Sequence, residues 1–372
     1  MGVMRAMLWE AVPFTVMVTM EACTIGLTIW ASTAMNNGMS PLVFVFYSNS
    51  LASILLLPYS FIFHCTDRTE QPLFTFPLFL RFFFLGLTGI TIAQNLAFLG
   101  LSYSSPILVC AMGLLTPSFF FMLSVLLRTT KLDWRSSSCQ AKVIGTLISI
   151  MGAIMVDLYK GPVILKTSVS STYDLDLQPK QQLISMIFSS TPEHWILGGI
   201  LLAATSLSVS VWNIIQLGTV KQYPELQVMK AASFYSVLGT VQCGIVSLTL
   251  ERNPSAWKLK LNSELLLIVL TAVFGGVVRS RVHIWCTQSK GPLYVPMFKP
   301  FGILFATIFG ISFFTNNLHY GSVIGAIIIG IGCYAVMWGQ ITEDGVGEDQ
   351  CAGSVDSLEE KTVPLLQEEM QV

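Results

Sequence analysis

Long apolar runs separated by short polar stretches make up most of this 372-residue chain. A helix needs about 20 consecutive, mainly apolar residues to cross the hydrocarbon core of a bilayer. The pattern predicts an all-α polytopic membrane protein with ten transmembrane helices, numbered spans 1 to 10. The predicted spans are Val12–Ala34, Leu42–His64, Leu78–Leu99, Ser104–Leu127, Val143–Leu158, Trp195–Leu217, Val228–Leu250, Leu265–Cys286, Leu293–Phe314 and Tyr320–Trp338.

A polar stretch over residues 161–192, rich in Ser, Thr, Gln and Asp, separates spans 1–5 from spans 6–10. Its composition is that of a linker between two halves. Because each half has an odd number of spans, a repeat would insert upside down relative to its partner. We therefore expect one five-helix repeat over residues 1–160, an inverted one over 193–340, and a disordered acidic tail over 341–372.

Glycine and proline recur at matching intervals in the two halves. A glycine in span 3 precedes the proline that opens span 4 by 17 residues, and the same interval separates a glycine in span 8 from the proline that opens span 9. Spans 5 and 10 each carry two glycines seven residues apart. This order indicates a 5+5 duplication, although small residues also let membrane helices pack closely. The pairs are Gly89 and Pro106, Gly275 and Pro292, Gly145 and Gly152, and Gly325 and Gly332.

Composition narrows the function classes. Only 11% of residues are charged, against about a quarter in soluble proteins, and the net charge of −1 indicates no nucleic-acid partner. The eight cysteines form no metal-binding cluster with histidine, so no metal or cofactor is predicted. Signature motifs of hydrolases, metalloproteases and nucleotide-driven pumps are missing, which predicts a protein that is not an enzyme. Any active transport would use an ion or proton gradient.

Lysine and arginine set the predicted orientation. With both termini in the cytosol, cytosolic segments carry 11 of these residues and the opposite segments carry six. Basic residues are enriched on the cytosolic side of multi-pass proteins. We therefore expect cytosolic termini and a non-cytosolic linker.

Basic residues inside spans 8 and 9 are the first candidates for a binding site. At about 1.5 Å rise per residue, Arg279 and Lys299 both lie roughly 10–17 Å from the turn at Lys290, and so at similar depth. A cation in hydrocarbon costs roughly 3 kcal/mol and usually faces water or an ionic partner. These residues either attract a substrate anion or extend toward the interface and protein carbonyls. Arg279 shares a helix face with His283, whereas Arg281 points away by about 200°.

Glu21 is the carboxylate predicted nearest the bilayer centre. It could carry a proton, receive a substrate ammonium group, or pair with a cation of the second half. Four uncharged groups at membrane depth, in spans 3 and 6, could hydrogen-bond a zwitterion or tie helices together. Three prolines free backbone carbonyls and supply hinges. The uncharged candidates are Gln94, Asn95, Trp212 and Gln216, and the hinges are Pro117, Pro296 and Pro300.

Several motifs resemble those of the plant nodulin-21-like EamA transporters, also called UMAMIT or "walls are thin"-related proteins. They include Val211-Trp-Asn-Ile-Ile-Gln216, Glu251-Arg-Asn-Pro-Ser-Ala-Trp-Lys258, Lys290-Gly-Pro292, Met297-Phe-Lys-Pro300 and Gly321-Ser-Val-Ile-Gly-Ala326. The resemblance runs from about Pro13 to Gly339. The chain departs from the family pattern at Arg279, Arg281, Thr315-Asn-Asn317 and Asn49.

The resemblance implies ten helices in two inverted EamA repeats around a central substrate site. Relatives of this type move amino acids, or in a few cases auxin or other metabolites, at the plasma membrane or the vacuolar membrane. We therefore expect an amino-acid or organic-acid carrier working by alternating access in the plasma membrane, possible coupling to protons, and contact with membrane lipids. Alternatives are an auxin or indolic-metabolite transporter, a vacuolar location, and a non-transporting receptor or scaffold. The oligomeric state is not predicted.

Overall fold

The computed structural model describes residues 2–63, 75–128, 136–159, 163–165, 193–223, 228–259, 262–290, 294–313, 318–319, 321 and 323–342. Almost all of these residues are helical, as the apolar pattern predicts. Most of the linker and the tail beyond residue 342 lie outside the described residues. Two short strands, Val163–Leu165 and Leu318–His319, pair antiparallel.

The described helices follow the ten predicted spans. Nine of them are long and apolar enough to cross a membrane, and the ninth span appears as a shorter apolar segment, Pro296–Phe309. The all-α ten-span fold is therefore confirmed in outline, with spans 3, 4, 8 and 9 each interrupted. The uninterrupted helices are Gly2–Asn36, Pro41–Phe63, Ser137–Leu158, Glu193–Gln222, Val228–Leu250 and Val323–Thr342. The interrupted ones consist of Phe76–Gly86, Leu87–Ile92 and Ala93–Tyr103 (span 3), Pro106–Gly113 and Thr116–Leu126 (span 4), Ser263–Thr271, Ala272–Val278 and Arg279–Lys290 (span 8), and Pro296–Phe298 and Phe301–Phe313 (span 9).

Spans 3 and 8 each contain a π-helical segment, at Leu87–Ile92 and Ala272–Val278. These segments include Gly89 and Gly275, the glycines that occupy matching positions in the two halves. Each π-helix also packs on the second span of the opposite half, where Ile90 lies against Gly239 and Ala52 lies against Gly276. Because π-helical turns are rare, their recurrence at equivalent positions supports the duplication read from the sequence.

Spans 5 and 10 pack antiparallel through the glycines predicted to match. A side chain on Gly332 would meet the carbonyl of Gly145, and one on Gly325 would meet the Val156 side chain and the carbonyl of Gly152. Farther along the pair, Ser138 donates a hydrogen bond to the carbonyl of Gly339. Residue numbers rise along span 10 while those of the contacting residues fall along span 5, so the two helices run antiparallel. Repeat-equivalent helices take this arrangement when one half is inverted.

Spans 2 and 7 form a second antiparallel pair, joined by hydroxyl groups. The Ser53 hydroxyl lies 2.7 Å from the Ser236 hydroxyl and 2.8 Å from that of Thr240. Toward the other end of the pair, Ser247 donates to the carbonyl of Leu42 at 3.1 Å. Small hydroxyl residues let helices approach closely and satisfy their own polar groups, as is usual inside membranes.

Contacts between helix ends agree with the predicted alternation of sides. The segment between spans 1 and 2 joins the segment between spans 7 and 8, where Ser40 donates to the Glu251 carboxylate at 2.7 Å. The two strands likewise join the linker to the segment between spans 9 and 10. At the opposite ends, Arg81 of span 3 hydrogen-bonds Gln222 of span 6. Each contact therefore joins segments that ten alternating spans place on the same side of the membrane.

Candidate functional site

Lys299 lies in a break of span 9, held by the residues on either side of it. A 3₁₀ turn over Pro296–Phe298 precedes it, and the Lys299 N–H donates to the carbonyl of Pro296 at 3.1 Å. Phe298 is only 4% exposed and packs in a core cluster with Met17 of span 1 and Cys286 of span 8. The cluster fixes the backbone next to Lys299, so the lysine is positioned by the proline-bounded turn and an aromatic anchor.

The structure brings together three of the residues predicted for the site. The Lys299 ammonium interacts electrostatically with the Arg279 guanidinium of span 8 and with the Glu21 carboxylate of span 1. His283 lies within electrostatic range of both cations, while Arg281 is exposed on another face of the helix. The two arginines thus differ in exposure, since Arg279 is only partly exposed.

The residues around Lys299 differ in exposure. Lys299 and Cys110 are partly exposed, whereas Glu21 is only 4% exposed.

Two predicted site residues of span 3 hydrogen-bond neighbouring helices. The Gln94 amide oxygen accepts a hydrogen bond from the Asn49 amide of span 2 at 2.6 Å. Asn95 is 7% exposed, and its amide donates to the carbonyl of Thr91 and to the Cys243 thiol of span 7. The Asn95 amide oxygen is buried without a hydrogen-bond partner among the described residues. These contacts tie helices together, which is one of the two roles expected from the sequence.

Span 6 places Trp212 against span 3. Its indole lies so close to Gly89 that a side chain there would overlap it, and it packs edge-on against Tyr235 at 6.3 Å. The indole nitrogen is buried without a hydrogen-bond partner in the described part of the chain. Gln216, one turn further along span 6, is partly exposed. Neither residue is among the electrostatic partners of Lys299, which come from spans 1, 4 and 8.

All three predicted hinge prolines lie at helix interruptions. Span 4 stops at Gly113 and restarts at Thr116, immediately before Pro117. Pro296 opens the 3₁₀ turn of span 9, and Pro300 precedes the helix that restarts at Phe301. Proline cannot donate a backbone hydrogen bond, so a helix is readily interrupted where it occurs.

Two neighbours of the site carry little signal in the sequence. A side chain on Gly302 would reach within 3.7 Å of the Cys110 sulfur and 3.9 Å of a Glu21 carboxylate oxygen. Cys110 also interacts electrostatically with Glu21 and Lys299. Neither residue stands out in the sequence, because glycine and cysteine are common inside membrane helices. Their proximity to Glu21 and Lys299 is seen only when spans 1, 4 and 9 pack together.

Comparisons with known proteins show which family this chain belongs to. Residues 15–157 match the model of the EamA-like transporter family. A WAT1-related protein of Arabidopsis thaliana is 56% identical over 335 residues, which cover 90% of this chain and 88% of that protein. The chain belongs to the WAT1-related proteins of the EamA-like transporter family. It is a multi-pass membrane transporter of this plant family.

Further similarities support the same assignment. A second WAT1-related protein of Arabidopsis thaliana is 51% identical over 362 residues, covering 96% of each chain. A protein of known crystal structure superposes with a TM-score of 0.51 over 87% of this WAT1-related chain and 96% of the other, at 13% identity. That similarity concerns the fold alone.

Proposed function

We propose that this transporter carries amino acids or related small organic acids across the membrane as a secondary carrier or facilitator. One observation carries the proposal: Lys299 of span 9 lies within electrostatic range of Arg279 of span 8 and of Glu21 of span 1. The three charged groups come from both halves of the chain. Transport by alternating access requires a substrate site that lies between the two halves.

The charges of the site match the two ends of an amino acid. Lys299, assisted by Arg279, would attract the substrate carboxylate, because charge-assisted hydrogen bonds are the stronger kind. Glu21 would receive the substrate ammonium or carry a proton. Placing charged groups in a membrane is costly unless a partner or water compensates, and a zwitterion supplies both partners at once.

Movement of the two halves would expose the site alternately to each side. We propose that residues 1–160 and 193–340 act as the moving halves, joined by the linker at 161–192, with residues 341–372 as a cytosolic tail. The breaks at Pro117, Pro296 and Pro300 lie in spans 4 and 9, and they would absorb the changes in backbone angle. We further propose location in the plasma membrane, with the vacuolar membrane as the alternative.

An indolic carboxylate is the second candidate substrate. The rings of Phe298 and Phe301 stack at 5.9 Å directly beside Lys299, and Phe14 contacts both. Phe298 is buried, but Phe301 is partly exposed and would offer an aromatic acid an apolar surface near its charge partner. Trp212, by contrast, is occupied by its contact with Gly89.

Flux measurements on purified protein test the proposal. Proteoliposomes would be loaded with radiolabelled amino acids or auxin, and uptake and efflux would be followed with and without an imposed proton gradient. We expect saturable amino-acid flux, and acceleration by the gradient if Glu21 carries a proton. A chain lacking residues 343–372 should retain flux, whereas a scaffold acting through its tail would lose its partner. Absence of flux for every amino acid, from folded protein, would contradict the proposal.

A further inference from the structure

The break in span 4 is a short turn whose backbone groups are satisfied locally. Between Gly113 and Thr116 the N–H groups of Leu114 and Leu115 each donate to a carbonyl three residues earlier, at 3.1 and 3.0 Å. Pro117 has no N–H, so it cannot donate to the carbonyl of Gly113 as a helical residue would. The Thr116 hydroxyl donates to that carbonyl instead, at 2.8 Å. Residues at the ends of helix segments are those that absorb changes in backbone angle during domain movements.

Two serine hydroxyls of span 6 hold this turn from the opposite half of the chain. Ser206 donates to the carbonyl of Met112 at 2.6 Å, and Ser210 donates to the carbonyl of Thr116 at 2.9 Å. Both serines are buried, at 3% and 0% exposure. Because the two accepting carbonyls lie on either side of the break, the serines attach both segments of span 4 to the second half.

The bond from Ser210 can be released without leaving its hydroxyl unpaired. The Ser210 hydroxyl also lies 2.8 Å from the carbonyl of Ser206 in its own helix. A serine hydroxyl has a single proton to donate, so the carbonyls of Thr116 and Ser206 compete for it. When span 4 moves away, Ser210 keeps its hydrogen bond within span 6, which avoids the cost of an unpaired polar group inside the membrane.

The break in span 9 has different neighbours. Spans 4 and 9 restart beside Thr116-Pro117 and Lys299-Pro300, and spans 6 and 1, which are equivalent in the two repeats, lie against these breaks. Glu21 of span 1 is an electrostatic partner of Lys299. Charged side chains therefore meet at the break of span 9, whereas neutral hydroxyls already satisfy the break of span 4.

We propose that Ser206 and Ser210 form a latch, which holds the break of span 4 in the conformation seen here and is released when the two halves move. This inference rests on the proposed function and adds two positioning residues to it. Removing the Ser206 hydroxyl should make the turn open about three-fold more often, which is the average effect of one interhelical hydrogen bond in a membrane. Ser210→Ala should have a smaller effect, because its proton is shared with a carbonyl of its own helix.

The first test is amide hydrogen exchange over residues 113–119 of the purified full-length protein, followed by mass spectrometry. Exchange reports how often a segment opens, so Ser206→Ala should speed it about three-fold. Thr205→Val is the matched control, since the Thr205 hydroxyl donates to the carbonyl of Leu201 in its own helix at 2.9 Å. The control should leave exchange at the break unchanged. Equal exchange in Ser206→Ala and the original protein would overturn the inference, and so would an increase spread evenly over the whole protein.

The second test measures amino-acid flux in proteoliposomes. Conformational steps set kcat in many proteins that open and close around a substrate. Ser206→Ala should therefore raise kcat about three-fold and leave KM within about two-fold of its original value, because the serines hold span 4 while the charged residues bind the substrate. An unchanged kcat, or a change in KM alone, would overturn the inference. Faster exchange at the break in a protein that moves no amino acid would support the latch and refute the proposed function instead.

Discussion

The contact between spans 5 and 10 makes a sharp prediction about stability. A Cβ atom on Gly332 would lie 2.5 Å from the carbonyl oxygen of Gly145 and 2.6 Å from the backbone nitrogen of Ser149. Both are backbone atoms, which cannot rotate away as a side chain can. Gly332→Ala must therefore push the two helices apart along their shared contact.

The expected magnitude follows from two opposing effects. Alanine in place of a helical glycine usually adds about 0.5–1 kcal/mol of stability. Inserting a methyl group into a tight contact costs typically about 1–3 kcal/mol. Gly330→Ala isolates the first effect, because a side chain there meets only Leu114, at 3.9 Å. We expect Gly330→Ala to be slightly stabilising and Gly332→Ala to be destabilising.

The assay is reversible unfolding in mixed micelles by increasing amounts of sodium dodecyl sulfate, followed by circular dichroism. Gly330 and Gly332 lie two residues apart in the same helix, so the variants share their helix propensity and their depth in the membrane. If Gly332→Ala proves as stable as Gly330→Ala, then spans 5 and 10 do not pack through these glycines. The antiparallel pairing of repeat-equivalent helices would lose its physical support.

Two further predictions concern the site and the second helix pair. Arg279→Gln should lower amino-acid flux about ten-fold or more, because Arg279 interacts with Lys299. Arg281→Gln, on the exposed face of the same helix, is the control and should leave the flux unchanged. Equal effects of the two substitutions in uptake assays would show that Arg279 is not part of the site. Ser53→Ala should cost about 0.6–1.7 kcal/mol in the same unfolding assay, since it removes hydrogen bonds to Ser236 and Thr240. An unchanged free energy of unfolding would show that the hydroxyl cluster does not hold spans 2 and 7 together.

Much of the architecture could be predicted from the sequence because its physical causes are local. The apolar runs predict the spans, and the spacing of Gly145, Gly152, Gly325 and Gly332 predicts equivalent helices. The π-helical segments could not be predicted, since one extra residue in a turn leaves an apolar run unchanged. Nor could the sequence tell that the equivalent glycines face one another, because that depends on how two distant helices pack.

Part of the candidate site could likewise be predicted, because some of its residues stand out locally in the sequence. Charges inside apolar runs are conspicuous, so Glu21, Arg279 and Lys299 could be found without a structure. Uncharged polar residues are ambiguous at the sequence level, and only their neighbours show that Asn95 ties helices together. The position of Gly302 beside Glu21 and Cys110 could not be predicted, because it depends on how spans 1, 4 and 9 pack.

The most direct test of the account is the flux of a radiolabelled amino-acid mixture in proteoliposomes containing Lys299→Met protein. Lys290→Met is the control, because Lys290 is exposed at the end of span 8. The account predicts that Lys299→Met loses most of its flux while remaining folded, and that Lys290→Met keeps it. Undiminished flux in Lys299→Met would contradict the claim that this lysine binds the substrate carboxylate.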